Sequence, residues 1–172
     1  MADSICINTE SPYCIEQFCD ALKQQMQAAN KTYDEICVAC IGTDRATGDC
    51  LGPLVGHKLS GFDKAKITGT LDSPLHAKNI GEFIESISEN QLVIAVDASL
   101  GKYESIGYIN IKKGPISPGS GVNKNLQPIG DISITGVVNM GGFQELMILQ
   151  NTRLSIVMKL ADIIADGLRM VL

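Results

Sequence analysis

The sequence predicts a three-layer α/β/α sandwich around a mostly parallel sheet, and three observations carry that reading. Two short runs, Ile36-Cys-Val-Ala-Cys-Ile41 and Leu92-Val-Ile-Ala-Val96, are apolar throughout, as strands covered on both faces are. Each runs into an acidic segment, Gly42 to Gly52 after the first and Asp97 after the second. Between and around them lie stretches with apolar residues at helical spacing, giving a β-α-β-α-β order that closes most simply through crossover helices.

Taken in order, Ser11-Pro12 predicts an N-cap with proline at the first helical position. Ile15, Phe18, Cys19, Leu22 and Met26 then recur on one helical face, so residues 1–30 are expected to form an N-terminal helical extension. Strand one is expected over 35–41, a crossover helix over 51–59 and a short strand near 65–71. Ser73-Pro74 predicts the opening of a second helix, with Ile80, Phe83, Ile84 and Ile87 on its buried face. After the strand at 92–96, residues 107–112 alternate as an edge or antiparallel strand does. The segment Gly114-Pro-Ile-Ser-Pro-Gly-Ser-Gly121 holds too much glycine and proline for helix or strand, and a long loop in a compact domain is more often functional than idle. A further strand over 130–138, the segment 144–149 and an amphipathic helix through Ile156, Val157, Leu160, Ile164 and Leu168 complete the chain, which is read as one domain over 1–172.

Composition narrows the function classes. The 172 residues are 45% apolar with a net charge of -5, so the chain is globular, and the lack of any Lys/Arg cluster argues against nucleic acid. No segment is long and apolar enough to suggest a membrane span, since the most apolar one is interrupted by Lys159, Asp162 and Asp166. Six cysteines invite a disulfide reading, but Cys37 and Cys40 lie in a strand pattern and Cys14 and Cys19 in a helical one. With Asp3 and Glu10 near the start and no apolar leader, reduced thiols in a cytoplasmic protein are the expectation. No nucleotide loop or zinc-ligand spacing is present, and no cofactor is implied.

The sharpest chemical candidates are Asp49 and Asp97, one at the end of each apolar strand region. Two carboxylates a few ångströms apart cannot both ionise easily, so one keeps a proton and one serves as base. Asp49 lies close to a helix start, where the macrodipole favours the charged form, which makes Asp97 the expected proton holder. The alternative is structural, Asp49 as an N-cap and Asp97 as a turn residue. Asp44 either orients the pair or binds a substrate amine, or else satisfies loop N–H groups. Gly119, Ser120 and Gly121 offer backbone N–H groups to a substrate or oxyanion, or form a surface turn. Cys50 has no histidine at contact spacing: His57 is two helical turns away, and His76 reads as a first-turn helix residue.

Gly48-Asp-Cys-Leu-Gly-Pro53, Val96-Asp-Ala-Ser99 and Pro118-Gly-Ser-Gly-Val122 resemble the germination protease family of endospore-forming bacteria. Its two essential aspartates lie in an Asp-Ala-Leu-Gly-Pro segment and a strand-terminal Val-Asp-Ala segment. The chain from about residue 35 onward, with Ile41-Gly-Thr-Asp-Arg-Ala-Thr-Gly-Asp49 and Leu149-Gln-Asn-Thr-Arg153, is more closely similar to short sporulation proteins of the YyaC type. The resemblance implies a fold shared with the hydrogenase maturation endopeptidases and aspartate-dependent peptide hydrolysis, with Asp49 and Asp97 in the two essential positions. Cys50 falls near the glutamate metal ligand of the hydrogenase endopeptidases and Asn139 near their histidine ligand, so their nickel set is incomplete here and Asn139 is carried as a substrate-binding candidate. The expected function is a sporulation-associated endopeptidase in the forespore or mother-cell cytoplasm. Its protein or peptide substrate would lie across the carboxyl ends of the sheet beneath the 115–123 loop. A homo-oligomer is compatible with the chain. The rival readings are a non-catalytic binding or regulatory protein, and a divalent-metal hydrolase using Asp44, Asp49 and Asp97.

Overall fold

A computed structural model describes residues 4–118 and 127–172. Its sheet has six strands: β1 (Ile5–Asn8), β2 (Glu35–Cys40), β3 (Lys66–Thr68), β4 (Gln91–Gly101), β5 (Tyr108–Lys113) and β6 (Ile132–Met140). They lie side by side in the order β1-β5-β6-β4-β2-β3. The β6-β4-β2-β3 half is parallel, while β5 pairs antiparallel with both β1 and β6. The helices are α1 (Cys14–Ala29), α2 (Leu51–Lys58), α3 (Ile80–Glu85), α4 (Glu145–Gln150) and α5 (Leu154–Val171). The predicted three-layer α/β/α architecture is the one observed.

Strand alternation sorts the core into two layers. Val38 and Cys40 of β2, Leu92, Ile94 and Val96 of β4, Ile109 and Ile111 of β5, and Ile132 and Ile134 of β6 point to one face. There they meet Phe18 and Leu22 of α1, Leu51 and Val55 of α2, and Val157, Leu160, Ile164 and Leu168 of α5. The intervening residues Cys37, Ala39, Val93 and Ala95 point the other way, against Leu75, Ile80, Ile116 and Ile129. Burying both faces of β2 and β4 explains why these two strands read as unbroken apolar runs.

Four sequence expectations change. Residues 1–30 are not wholly helical, because Ile5 and Ile7 alternate with exposed Cys6 and Asn8 in a strand that pairs with Ile111 and Ile109. β1 thereby takes the sheet edge and β5 becomes internal. Ser11 and Pro12 form a turn rather than the first helical turn: the Ser11 carbonyl accepts from Cys14 N–H at 3.1 Å, and α1 begins at Cys14. Ser73-Pro74 does not open a helix either. Leu75 bridges Ile41 in parallel, and Asn79 ties the following turn by accepting His76 N–H at 2.8 Å and donating to the Pro74 carbonyl at 3.0 Å, so α3 starts only at Ile80. Within the Gly/Pro segment, Ile116 and Ile129 exchange backbone hydrogen bonds at 3.0 and 2.9 Å, a two-residue antiparallel bridge that closes over the second core layer. Among the described residues no helix is long and apolar enough to cross a membrane.

Candidate active site

β2 ends one residue short of a tight reversal. Gly42 adopts φ +141°, and a Cβ there would lie 2.0 Å from the Asp49 carbonyl oxygen, so only glycine lets the chain fold back this closely. Gly42 N–H donates to the Leu75 carbonyl at 2.9 Å and Thr43 N–H to the Asp49 carbonyl at 3.1 Å. A 3-10 turn, Gly48–Cys50, then feeds directly into α2. Gly52 presses α2 against the strand end, since a Cβ there would stand 2.1 Å from the Ile41 carbonyl oxygen. The loop therefore returns Asp49 to the end of β2, and the spacing of glycines at 42, 48 and 52 is what permits it.

Asp97 arrives from the neighbouring strand by simple alternation. It continues the series Val93, Ala95, Asp97 on the face opposite the main helical layer. The last β2–β4 rung is Ile41 N–H donating to the Val96 carbonyl at 2.7 Å. Asp97 is the next residue, and β4 runs on to Gly101 beside β6. It is thus a mid-strand residue and not a strand terminator or turn residue.

Asp49 and Asp97 line the same cleft, a cavity of about 1010 Å³ at the carboxyl end of β2. Burial pushes the Asp49 carboxyl up to about 6, against a smaller downward pull from Thr43 N–H. Asp97 is raised well above the ordinary carboxyl range, first by burial and then by the negative charge of Asp49, while the Ala98 N–H bonded to its Oδ1 at 2.8 Å acts the other way. The helix start does not hold Asp49 low. Its side chain caps neither the 3-10 turn nor α2, and desolvation of the charged form outweighs the dipole. Both carboxyls are thus pushed towards the neutral form, Asp97 by burial and the charge of Asp49 and Asp49 by burial alone, so Asp97 is the one that holds a shared proton and Asp49 the one that ionises first. That is the arrangement in which one carboxylate can accept a proton while the other donates one.

The rest of the cleft mixes charge and apolar surface. Asp44, Arg45, His76, Lys78 and Glu145 stand around it, with Lys112 and Thr135 on the open sheet face and Leu146 and Leu149 of α4 on one rim. Thr135 sits directly opposite Asp97 in the β4–β6 register.

Residues 6–167 match a family model described as Protein of unknown function (DUF1256). The chain belongs to this DUF1256 family. It is 50% identical over 138 residues to Uncharacterized protein YyaC of Bacillus subtilis (strain 168), an alignment covering 77% of this chain and 67% of that protein. Among solved structures, the [NiFe] hydrogenase maturation protease HycI from Thermococcus kodakarensis KOD1 is similar with a TM-score of 0.49 at 19% identity, over 83% of this chain and 97% of that one.

In this DUF1256 chain the remaining candidates fall in different places. Asp44 lines the cleft beside the pair. Gly119, Ser120 and Gly121 lie outside the described residues, although Pro115 to Pro118 leading to them form part of the cleft wall. Asn139 is not in the wall. Its Nδ2 donates to Thr152 Oγ1 at 3.1 Å and to the Ile148 carbonyl at 3.4 Å, and its Oδ1 accepts Met140 N–H at 2.8 Å. Asn139 thus pins α4 to the end of β6 and positions the rim that carries Leu146. Cys50 is buried, and its thiol is pushed up by burial and by the charges of Asp44 and Asp49, which opposes thiolate formation. Among the described residues, no three His, Cys, Asp or Glu side chains gather into a group that could hold a metal ion. Asp44, Asp49 and Asp97 thus share the cleft without forming a ligand set.

Sequence reasoning missed His76, Lys112 and Thr135. Lys112 alternates with Ile109 and Ile111 of β5, so its facing away from the main core was readable. Its nearness to the cleft was not, because that follows from β5 lying beside β6.

Proposed function

We propose that this chain is an endopeptidase that hydrolyses a peptide bond of a protein substrate through the Asp49/Asp97 pair. The observation that carries the proposal is the pair itself: two carboxyl groups in one cleft, both raised by burial, one by the charge of the other. Asp49, ionised near neutral pH, takes a proton from water as that water attacks the scissile carbonyl. Asp97 supplies its proton to the carbonyl oxygen, giving a gem-diol; Asp49 then passes the proton it took from water to the leaving amine as the C–N bond breaks, and Asp97 recovers a proton from a gem-diol hydroxyl, which resets the pair. General acid–base catalysis of this kind contributes about 10²–10⁴-fold.

A protein substrate is supported by the cleft rim. Leu146, 55% exposed, and Leu149 line the cleft, and Phe143 and Met147, close to them in sequence, are 90% and 57% exposed; exposed apolar side chains at a cleft suit a surface that meets another macromolecule. We assign the activity to the cytoplasm of a sporulating cell; the support is the three-motif resemblance to germination proteases around Asp49, Asp97 and Pro118.

The test is digestion of a randomised peptide library by purified protein, with and without a chelator. Sequence-selective cleavage that survives the chelator and disappears in Asp97→Asn is the expected result. Cleavage abolished by chelator would replace the carboxylate-pair mechanism with a metal-assisted one. Absence of any cleavage, with peptides still retained, would make the protein a binding module.

A further inference from the structure

β4 outlasts its neighbour. β2 makes its last pairing at Cys40↔Val96 and gives one more bond, Ile41 N–H to the Val96 carbonyl, before turning away at Gly42. β4 continues through Asp97, Ala98, Ser99, Leu100 and Gly101, held on the other side by β6. Backbone groups of successive strand residues point to alternate sides. The carbonyls of Val93 and Gly101 accept from Asp131 and Gly141 on the β6 side, whereas that of Val96 accepts from β2. Even-numbered residues of β4 therefore face the side that β2 has left. Of their groups, Ala98 N–H is taken by Asp97 Oδ1 at 2.8 Å. For the Ala98 carbonyl and the N–H and carbonyl of Leu100, no described residue on that side supplies a partner. Asp97, Ala98, Ser99 and Leu100 all line the cleft, so this strand edge forms part of its wall.

We infer that the free edge of β4 at Ala98 and Leu100 binds the substrate backbone as an added strand, so that the ligand of this cleft is a polypeptide segment in extended conformation. The inference rests on the peptidase reading for what happens next to the bound strand, but the edge itself is a matter of backbone geometry. Carbonyl 98 and the two groups of residue 100 repeat over two strand residues, about 6.6 Å, and alternate acceptor and donor. A second extended backbone matches that pattern residue for residue; a helix, whose backbone groups are spent internally, does not. Sheet edges that are neither covered nor charged recruit strands, and this one is shielded from casual pairing by lying inside a cleft. A strand seated there runs past the Asp97 carboxyl, the first residue beyond the last β2 rung, which places a backbone carbonyl of the ligand beside the pair. It also leads towards Leu146 and Leu149, where an apolar side chain of the strand would rest.

The probe is a mixture of N-acetylated, C-amidated decapeptides randomised at every position, applied to the Asp97→Asn protein so that binding is read without turnover. Amide hydrogen exchange is followed residue by residue. Leu100 N–H is expected to exchange freely without peptide and at least tenfold more slowly with it. Two further variants separate backbone from side chain: Leu100→Ala keeps the N–H, and Leu100→Pro removes it from a position whose N–H faces away from β6, where an edge strand accepts proline. Peptide retention at least tenfold weaker for Leu100→Pro than for Leu100→Ala is expected. Equal retention by the two variants, or peptide binding with no protection of Leu100, overturns the inference. If the proline variant does not fold, the exchange result alone decides. Library cleavage by the unsubstituted protein without Leu100 protection leaves the peptidase reading and removes the strand edge. Leu100 protection without cleavage does the reverse, and neither binding nor cleavage removes both.

Discussion

Replacing Asp49 by asparagine tests whether burial or the helix start controls the pair. In the folded protein the Asp49 carboxyl is pushed from 3.8 up to about 6. Between those two values the folded state binds more protons than the unfolded one, so stability falls as pH rises through this window and levels off above it. A shift of about 2 units at about 1.36 kcal/mol each amounts to about 3 kcal/mol. The unsubstituted protein carries that cost at pH 7.5 and escapes it near pH 3.5. Asp49→Asn removes the ionisable group, so its stability relative to the unsubstituted protein should improve by about 3 kcal/mol on going from pH 3.5 to pH 7.5. Urea unfolding of both proteins at the two pH values measures this, and the difference of differences cancels the titration of every acid that does not sense the Asp49 charge, which leaves only Asp97 and Cys50 to respond with it. A difference that does not change with pH would refute the burial argument. A change of opposite sign would mean that the N–H groups at the start of α2 hold Asp49 below its ordinary range. Peptide cleavage, measured alongside, should fall by about 10²-fold or more if Asp49 is the base.

Four other substitutions have defined outcomes. Asp97→Asn keeps an oxygen for Ala98 N–H and removes a group that burial and the Asp49 charge push towards its neutral form, so thermal melts should shift little while cleavage is lost; destabilisation in proportion to lost activity would make Asp97 structural. Cys50→Ala should leave most cleavage intact, and the native thiol, raised by burial and two nearby aspartates, should react with iodoacetamide only slowly at pH 6; rapid labelling there would put a thiolate in the site. Gly52→Ala drives a Cβ to 2.1 Å from the Ile41 carbonyl oxygen and should cost at least about 3 kcal/mol or prevent folding. Gly81→Ala in α3 meets nothing within 4 Å and should stabilise the protein by about 0.4–1 kcal/mol in a melting experiment.

The parts of this protein that were legible in its sequence are those where local and global preferences agree. Beyond their first residues, Glu35 and Gln91, β2 and the first half of β4 are covered on both faces, so they are apolar throughout and announce themselves. α2 follows from the glycine spacing and the apolar residues Leu51 and Val55. The elements that were not legible are those where a residue's local preference is overridden by a partner distant in sequence. β1 spans four residues, too few for a pattern, and exists because β5 offers Ile109 and Ile111 for pairing. Ser73-Pro74 carries a helix-start signature, yet the Leu75 bridge to Ile41 holds that segment to the sheet, and Asn79 supplies the turn. Gly119 to Gly121, equally conspicuous in sequence, fall outside the described residues.

Asp97 is the most instructive case, because the same physical fact hides the strand and makes the site. An acidic residue after an apolar run reads as the end of a strand, since an ionised carboxylate in a two-sided sheet is costly. β4 nevertheless passes straight through Asp97 for four more residues. What lets the strand do so is that burial and the charge on Asp49 both favour the neutral form of Asp97. Ionising Asp97 in place would put a second negative charge beside Asp49 inside the fold. The strand's continuation, the shared proton and the free backbone edge beyond β2 are therefore linked. Ending β4 at Asp97, as the sequence suggests, would expose the carboxyl, let it ionise and take away the edge. The extension past β2 is what turns a pair of acidic residues expected at strand ends into two carboxyl groups facing one cleft beside an unpaired strand edge, the arrangement on which the proposed chemistry rests.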